Sequence, residues 1–229
     1  MIGIIVELIV SWLLLRFLAG NNLSVLGLRL TKSNGINGVA GLFLAAVCCT
    51  IYQVMATAFA GNSWILNPKV TMPVLLTGLW WVIKSVLFEE LLFRGALLYI
   101  AITKWGTRAA CIASAVCFGI YHWFSYNAFG NPVQMIFLFL MTGIFGWVLA
   151  YGFANTSSLY LPVGLHLGWN LFNIVVFSNG PLGQQVFIKA NANQLQGLLS
   201  LFVFLFQALA LPALAWAYIK WLERRKSLQ

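Results

Sequence analysis

Glu89 and Glu90 stand side by side inside a long apolar stretch, and they are two of the four acidic residues in the whole chain. The chain has two histidines, His122 and His166, and both also lie within apolar stretches. An ionisable group inside a membrane span costs roughly 2.5–3.5 kcal/mol even on the lenient insertion scale, so four of them there point to chemistry. Two carboxylates and two imidazoles are the groups that activate a water for hydrolysis.

Helical spacing divides the labour. Glu90 and Arg94 are four residues apart, with the acid on the favourable N-terminal side. Arg94 can hold Glu90 ionised and fixed, while Glu89 points about 100° away toward another helix and is left to act as a base. The competing reading is a structural ion pair between helices. In Phe118-Gly119-Ile120-Tyr121-His122, the imidazole lies toward the far end of its helix. It can share the activated water with Glu89 or protonate a leaving amine, or it can be an interfacial residue. His166 and Asn170 share one helix face, the arrangement that holds an oxyanion or a substrate carbonyl. Gly164 and Gly168 around them let another backbone approach closely. Glu7, Lys84 and Asn173 are weaker candidates: a structural acid that pairs with a neighbour, a snorkelling base and a cavity-lining amide.

These groups need a scaffold. The chain is 62% hydrophobic and 7% charged, against about 25% charged in soluble domains, so it is an integral membrane protein. Its 229 residues form one membrane domain, an all-α bundle of seven or eight spans. Apolar runs predict helices near 2–18, 36–60, 73–103, 108–126, 133–152, 159–178 and 197–220, with breakers such as Asn67-Pro68 and Gly130-Asn131-Pro132 between them. The third run would be ~46 Å long against a hydrocarbon core of ~30 Å, so it must tilt, kink or project. Residues 73–178 hold all three motifs. The N-terminus has no basic n-region and no small-residue cleavage site, which predicts a first transmembrane helix and not a cleaved signal peptide.

The net charge of +9 marks topology and headgroup contact, not nucleic acid. Arg29, Lys32, Lys104, Arg108, Lys220 and the Arg224–Lys226 cluster fall on one side of a seven-span bundle, with Lys69 and Lys189 opposite. That places the C-terminus in the cytoplasm and the N-terminus outside. Trp64, Trp105 and Trp221 sit near span ends as interfacial anchors. The four cysteines lie in apolar stretches without CxxC spacing, which predicts neither a disulfide framework nor a zinc knuckle.

Several hydrolase designs are excluded. The chain has no Asp, so no aspartyl pair; it has no HExxH helix and no GxSxG elbow. Two other classes remain in view. A proton-coupled transporter also uses Glu and His in spans, but expects a continuous polar path and repeat symmetry, which the sequence lacks. A non-catalytic membrane partner expects function to survive mutation of the motifs.

The ordered set Glu89-Glu90…Arg94, Phe118…His122 and His166…Asn170 resembles the CAAX protease and bacteriocin-processing family of intramembrane glutamic-type proteases, marked by EExxxR, FxxxH and HxxxN. The resemblance covers roughly residues 73–178. It implies a helical bundle with its site in a membrane-embedded cavity, where Glu89 and His122 activate a water. Glu90 and Arg94 then support the site, and His166 with Asn170 stabilise the oxyanion. It implies no cofactor. The zinc-dependent alternative would use Glu89, His122 and His166; Arg94 disfavours it by repelling a cation. Substrates within the family include prenylated CAAX tails, bacteriocin leaders and membrane-anchored sorting tails. The short loops and small size suit a bacterial inner-membrane enzyme acting on a membrane-associated protein or peptide.

Overall fold

The computed structural model describes residues 2–226. Its α-helices are α1 (Ile2–Ala19), α2 (Lys32–Phe59), α3 (Met72–Arg94), α4 (Ala96–Trp105), α5 (Thr107–Ser125), α6 (Pro132–Thr156), α7 (Tyr160–Asn170) and α8 (Gly197–Lys226). The all-α bundle expected from the sequence is what the chain forms. Four helices, α1, α2, α6 and α8, are long and apolar enough to cross a membrane. The motifs lie on the others: α3, α5 and α7.

Local signals account for the helix ends. Thr31 and Asn131 each accept a hydrogen bond from the backbone N–H three residues on, closing the N-termini of α2 and α6. Pro73 and Pro132 occupy first-turn positions where a missing N–H costs nothing. The long third apolar run does kink. It breaks at Gly95, where the chain takes φ −80° and ψ −135°, and a Cβ would stand 2.1 Å from the Leu91 carbonyl oxygen. Arg94 is therefore the last residue of α3, at the negative end of its dipole. The run expected over 159–178 is α-helical only to Asn170 and continues as a π-helical stretch, Leu171–Val176. Such insertions recur at functional sites.

Burial is inverted relative to a water-soluble protein. Along α2, Val39, Phe43 and Val54 are between 50% and 70% exposed, while Asn37, Gly41, Gln53 and Thr57 are buried. Only a hydrocarbon solvent makes that distribution stable, and small buried residues let helices close in on one another. Of the cysteines, Cys48, Cys49 and Cys111 are buried and Cys117 is exposed; all four are free thiols.

Helices α2 and α7 approach closely enough for backbone to meet backbone. A Cβ on Gly164 would lie 2.2 Å from the Gly38 carbonyl oxygen, and one on Gly168 would lie 2.3 Å from that of Leu42. Backbone cannot yield at those distances. Gly168→Ala should cost about 1–3 kcal/mol by overpacking and displace α7, seen as a lower unfolding temperature in detergent. Gly143→Ala, whose new Cβ meets nothing nearer than 3.7 Å, should behave as wild type.

The loops gather at two opposite ends. At one, the Leu159 N–H donates to Leu26 O at 3.1 Å, Ser158 Oγ to Gly27 O at 3.1 Å, and Asn21 Nδ2 to Tyr99 Oη at 3.3 Å; Lys226 Nζ bonds Asn155 O. At the other, two short strands absent from the sequence prediction, β1 (Trp64–Leu66) and β2 (Phe187–Lys189), pair antiparallel with Ile65 opposite Ile188. Trp64 belongs to this clip, 5.1 Å from the Phe177 ring, whereas Trp105 and Trp221 are exposed at helix ends.

Candidate active site

Three helix faces converge. Glu90 and Arg94 end α3, with Arg94 Nη1 3.1 Å from Glu90 Oε1 and both side chains fully buried. The same Oε1 lies 2.7 Å from His166 Nδ1 on α7. Arg94 Nη2 donates to Gly146 O on α6 at 3.2 Å, and the guanidinium carbon sits 4.0 Å from the centroid of the Phe118 ring. Its Nε has no hydrogen-bond partner. Removing either member of such a pair leaves an uncompensated charge in a dry interior.

Glu89 faces the other way, as its offset along α3 requires. Its Oε1 is 3.4 Å from Ser85 Oγ, one turn earlier. Its Oε2 is buried without a hydrogen-bond partner, 3.8 Å from His166 Nε2 and 4.0 Å from His122 Nε2. His122 Nδ1 is 2.7 Å from Phe118 O. A carbonyl only accepts, so this ring nitrogen donates, and in the neutral ring Nε2 is left as an acceptor aimed toward Glu89.

Glu89 and the two imidazoles form one wall of a cavity of about 500 Å³. Glu89, His122, His166 and Asn170 line it with Trp81 and Gln207. The six residues singled out from the sequence thus fall into two linked groups. Glu89, His122, His166 and Asn170 face the cavity, while Glu90 and Arg94 are connected to it through His166. Asn173 lines the same cavity but is engaged by Gln53 Nε2 at 2.6 Å. Lys84 lies 6.0 Å from the Trp80 ring and makes no bond to the glutamates. Glu7 does not pair with a neighbour as expected: its carboxylate oxygens are buried without a hydrogen-bond partner.

Sequence reasoning missed three contributors. Phe118 was a motif letter without a task. It is the hub, with its ring under Arg94 and edge-on to His122 at 4.5 Å and His166 at 5.9 Å. Its position four residues before His122 was the available signal. Gly146 offers a carbonyl to Arg94, and a Cβ there would come within 2.7 Å of Phe118. Nothing in a sequence announces which carbonyl will accept from a buried guanidinium. Gln207, an amide in the apolar run of α8, lines the cavity and could have been noticed as a polar residue in a span.

A metal fits this set poorly. Among the described residues no three His, Cys, Asp or Glu side chains are placed to hold an ion. Glu89 Oε2 stands 4.0 Å from His122 Nε2 and 3.8 Å from His166 Nε2.

The fold and cluster define an integral membrane helical bundle with a buried glutamate–histidine site. Residues 70–172 match the family model described as type II CAAX prenyl endopeptidase Rce1-like. That segment holds all three motifs, so the resemblance drawn from them is borne out. The match supports an intramembrane peptidase. No curated protein and no solved structure matches the chain.

Proposed function

We propose that this protein is an intramembrane endopeptidase in which Glu89 and His122 activate a water, and His166 with Asn170 receive the oxyanion. The observation that carries the reading is Glu89 Oε2, buried, without a hydrogen-bond partner and within 4.0 Å of Nε2 of both imidazoles. A water placed between Oε2 and His122 Nε2 can donate one hydrogen to each at ordinary lengths of about 2.8 Å. As its oxygen bonds to the peptide carbonyl carbon, a proton passes to Glu89 or His122 and the carbonyl electron pair becomes the oxyanion. Collapse breaks the C–N bond, and the same proton goes to the departing amine.

The oxyanion needs donors. Asn170 offers its amide. For His166 to offer Nε2–H while Nδ1–H is held by Glu90, the ring must be an imidazolium. Glu89, Glu90, Arg94 and His166 then carry two negative and two positive charges, a neutral sum in a site where an unmatched charge is costly. Glu90 and Arg94 act through His166 and touch no substrate.

The scheme uses no metal. EDTA or 1,10-phenanthroline should leave cleavage unchanged; inhibition reversed by added zinc would overturn the scheme. Burial of the cavity among membrane helices and the name of the matched family both favour a membrane-associated protein or peptide as substrate, and the short loops and small size suit a bacterial inner membrane. The test is a comparison of peptide termini in membranes from cells carrying wild type or Glu89→Ala at matched expression. Termini found only with wild type are expected. Identical termini, with native partners expressed, would sink the peptidase reading.

A further inference from the structure

The cavity has a direction. Its deep wall is Glu89, 12% exposed, and His166, 5% exposed. Its rim is Ser125, Tyr126, Asn179, Gly180 and Pro181, all exposed. The rim residues follow the C-terminal ends of α5 and of the π-helical stretch, and so lie at the end of the bundle that carries the β1–β2 clip. The hydrogen bonds joining Leu26, Gly27, Ser158 and Leu159 mark the opposite end.

Basic residues are distributed unequally between these ends. The end away from the rim holds Arg29, Lys32, Lys104, Arg108 and, at the close of α8, Arg224, Arg225 and Lys226. The loops at the rim end hold Lys69 and Lys189. Lys and Arg in short loops mark the cytoplasmic face. The two asymmetries, one of shape and one of charge, come from different residues and point oppositely along the same axis.

We propose that the cavity opens to the non-cytoplasmic side of the membrane and admits polypeptide segments presented there. The substrates are then membrane-anchored proteins or peptides whose scissile bond lies at the outer leaflet. The identity of the occupant rests on the peptidase reading; the direction of opening does not.

A second hollow adjoins the rim, about 610 Å³ in volume. It is lined by Asn62, Asn191, Asn193, Gln194 and Gln207, and Gln207 is shared with the catalytic cavity. Lys189 is the one charged group in its lining. Asn62, Asn191 and Asn193 bond across the two loops of this end and hold the hollow's shape, while Gln194 and Gln207 are amides that can hydrogen-bond a main chain irrespective of side-chain charge.

Direction can be measured without knowing the substrate. Single cysteines would be placed at the rim end, Pro181→Cys and Asn191→Cys, and at the basic end, Arg29→Cys and Arg108→Cys. All four positions are exposed. The background would carry Cys117→Ser, because Cys117 is the exposed native thiol. Intact and permeabilised cells would be treated with a membrane-impermeant sulfonated maleimide. Labelling of Pro181→Cys and Asn191→Cys in intact cells is expected, with Arg29→Cys and Arg108→Cys labelled only after permeabilisation. The reverse pattern, or labelling of all four in intact cells, would overturn the proposal. The same pattern in a Glu89→Gln background would separate sidedness from activity. Two positions per end guard against loss of one variant through misfolding.

Discussion

Replacing Glu89 with Gln should lower cleavage by about 10²–10⁴-fold, the range that a positioned general base contributes. The substitution keeps the shape, and the Ser85 hydroxyl at 3.4 Å can still donate to the amide oxygen. What is lost is a site that takes a proton from water. Folding should survive, since Oε2 has no hydrogen bond to lose, with the unfolding temperature lowered by the positive charge that Glu89 no longer offsets. Adding His122→Ala to Glu89→Gln should cost little more, because two groups acting on one water fail together. Measuring initial rates for the two single variants and the double tests this. Full activity in Glu89→Gln would put the base elsewhere.

Arg94→Met should damage the fold before the chemistry. It strips the cation from Glu90, which is fully buried and shares one oxygen between Arg94 and His166. Breaking such a pair by removing one partner costs about 3–5 kcal/mol. The guanidinium also fills the space between Gly146 O and the Phe118 ring. Low accumulation and a depressed unfolding temperature are expected. The double variant Glu90→Gln with Arg94→Met should recover most of the stability, because a neutral amide oxygen still accepts from His166 Nδ1. It should not recover the rate, because the ion pair that anchors His166 is gone. If the double variant were as unstable as the single, burial of charge would not be the cause.

The residues differ in how much of this they revealed beforehand. Glu90–Arg94, Phe118–His122 and His166–Asn170 are each four apart, so which of them share a helix face could be read directly. Contacts between helices could not. Glu90 and His166 are 76 positions apart, and no rule of spacing joins them. The sequence assigned Glu90 to Arg94 alone and His166 to Asn170, whereas one oxygen of Glu90 serves both partners. The break at Gly95 was equally hidden, because apolar residues continue through it and hydrophobic periodicity carries no backbone angle. The π-helical stretch after Asn170 and strands of three residues leave no periodic trace at all. The excess length of the third run was the legible symptom of the first of these.

The seam between α2 and α7 has a consequence for how the chain can change over generations. With 11 residues, α7 is ~16 Å long and cannot span a ~30 Å core by itself. The location of His166 is dictated by what α7 leans on, and that is α2, a helix outside the segment matched to the family. At Gly164 and Gly168, the nearest α2 atoms are the carbonyl oxygens of Gly38 and Leu42, with the Ala45 methyl next at Gly168. Every amino acid has a carbonyl, so descendants of this chain can rewrite α2 away from the small residues Gly41 and Ala45 and still hand down the same support. Ancestry at α2 is then recorded in shape and erased from spelling, while a single methyl at Gly168 is forbidden.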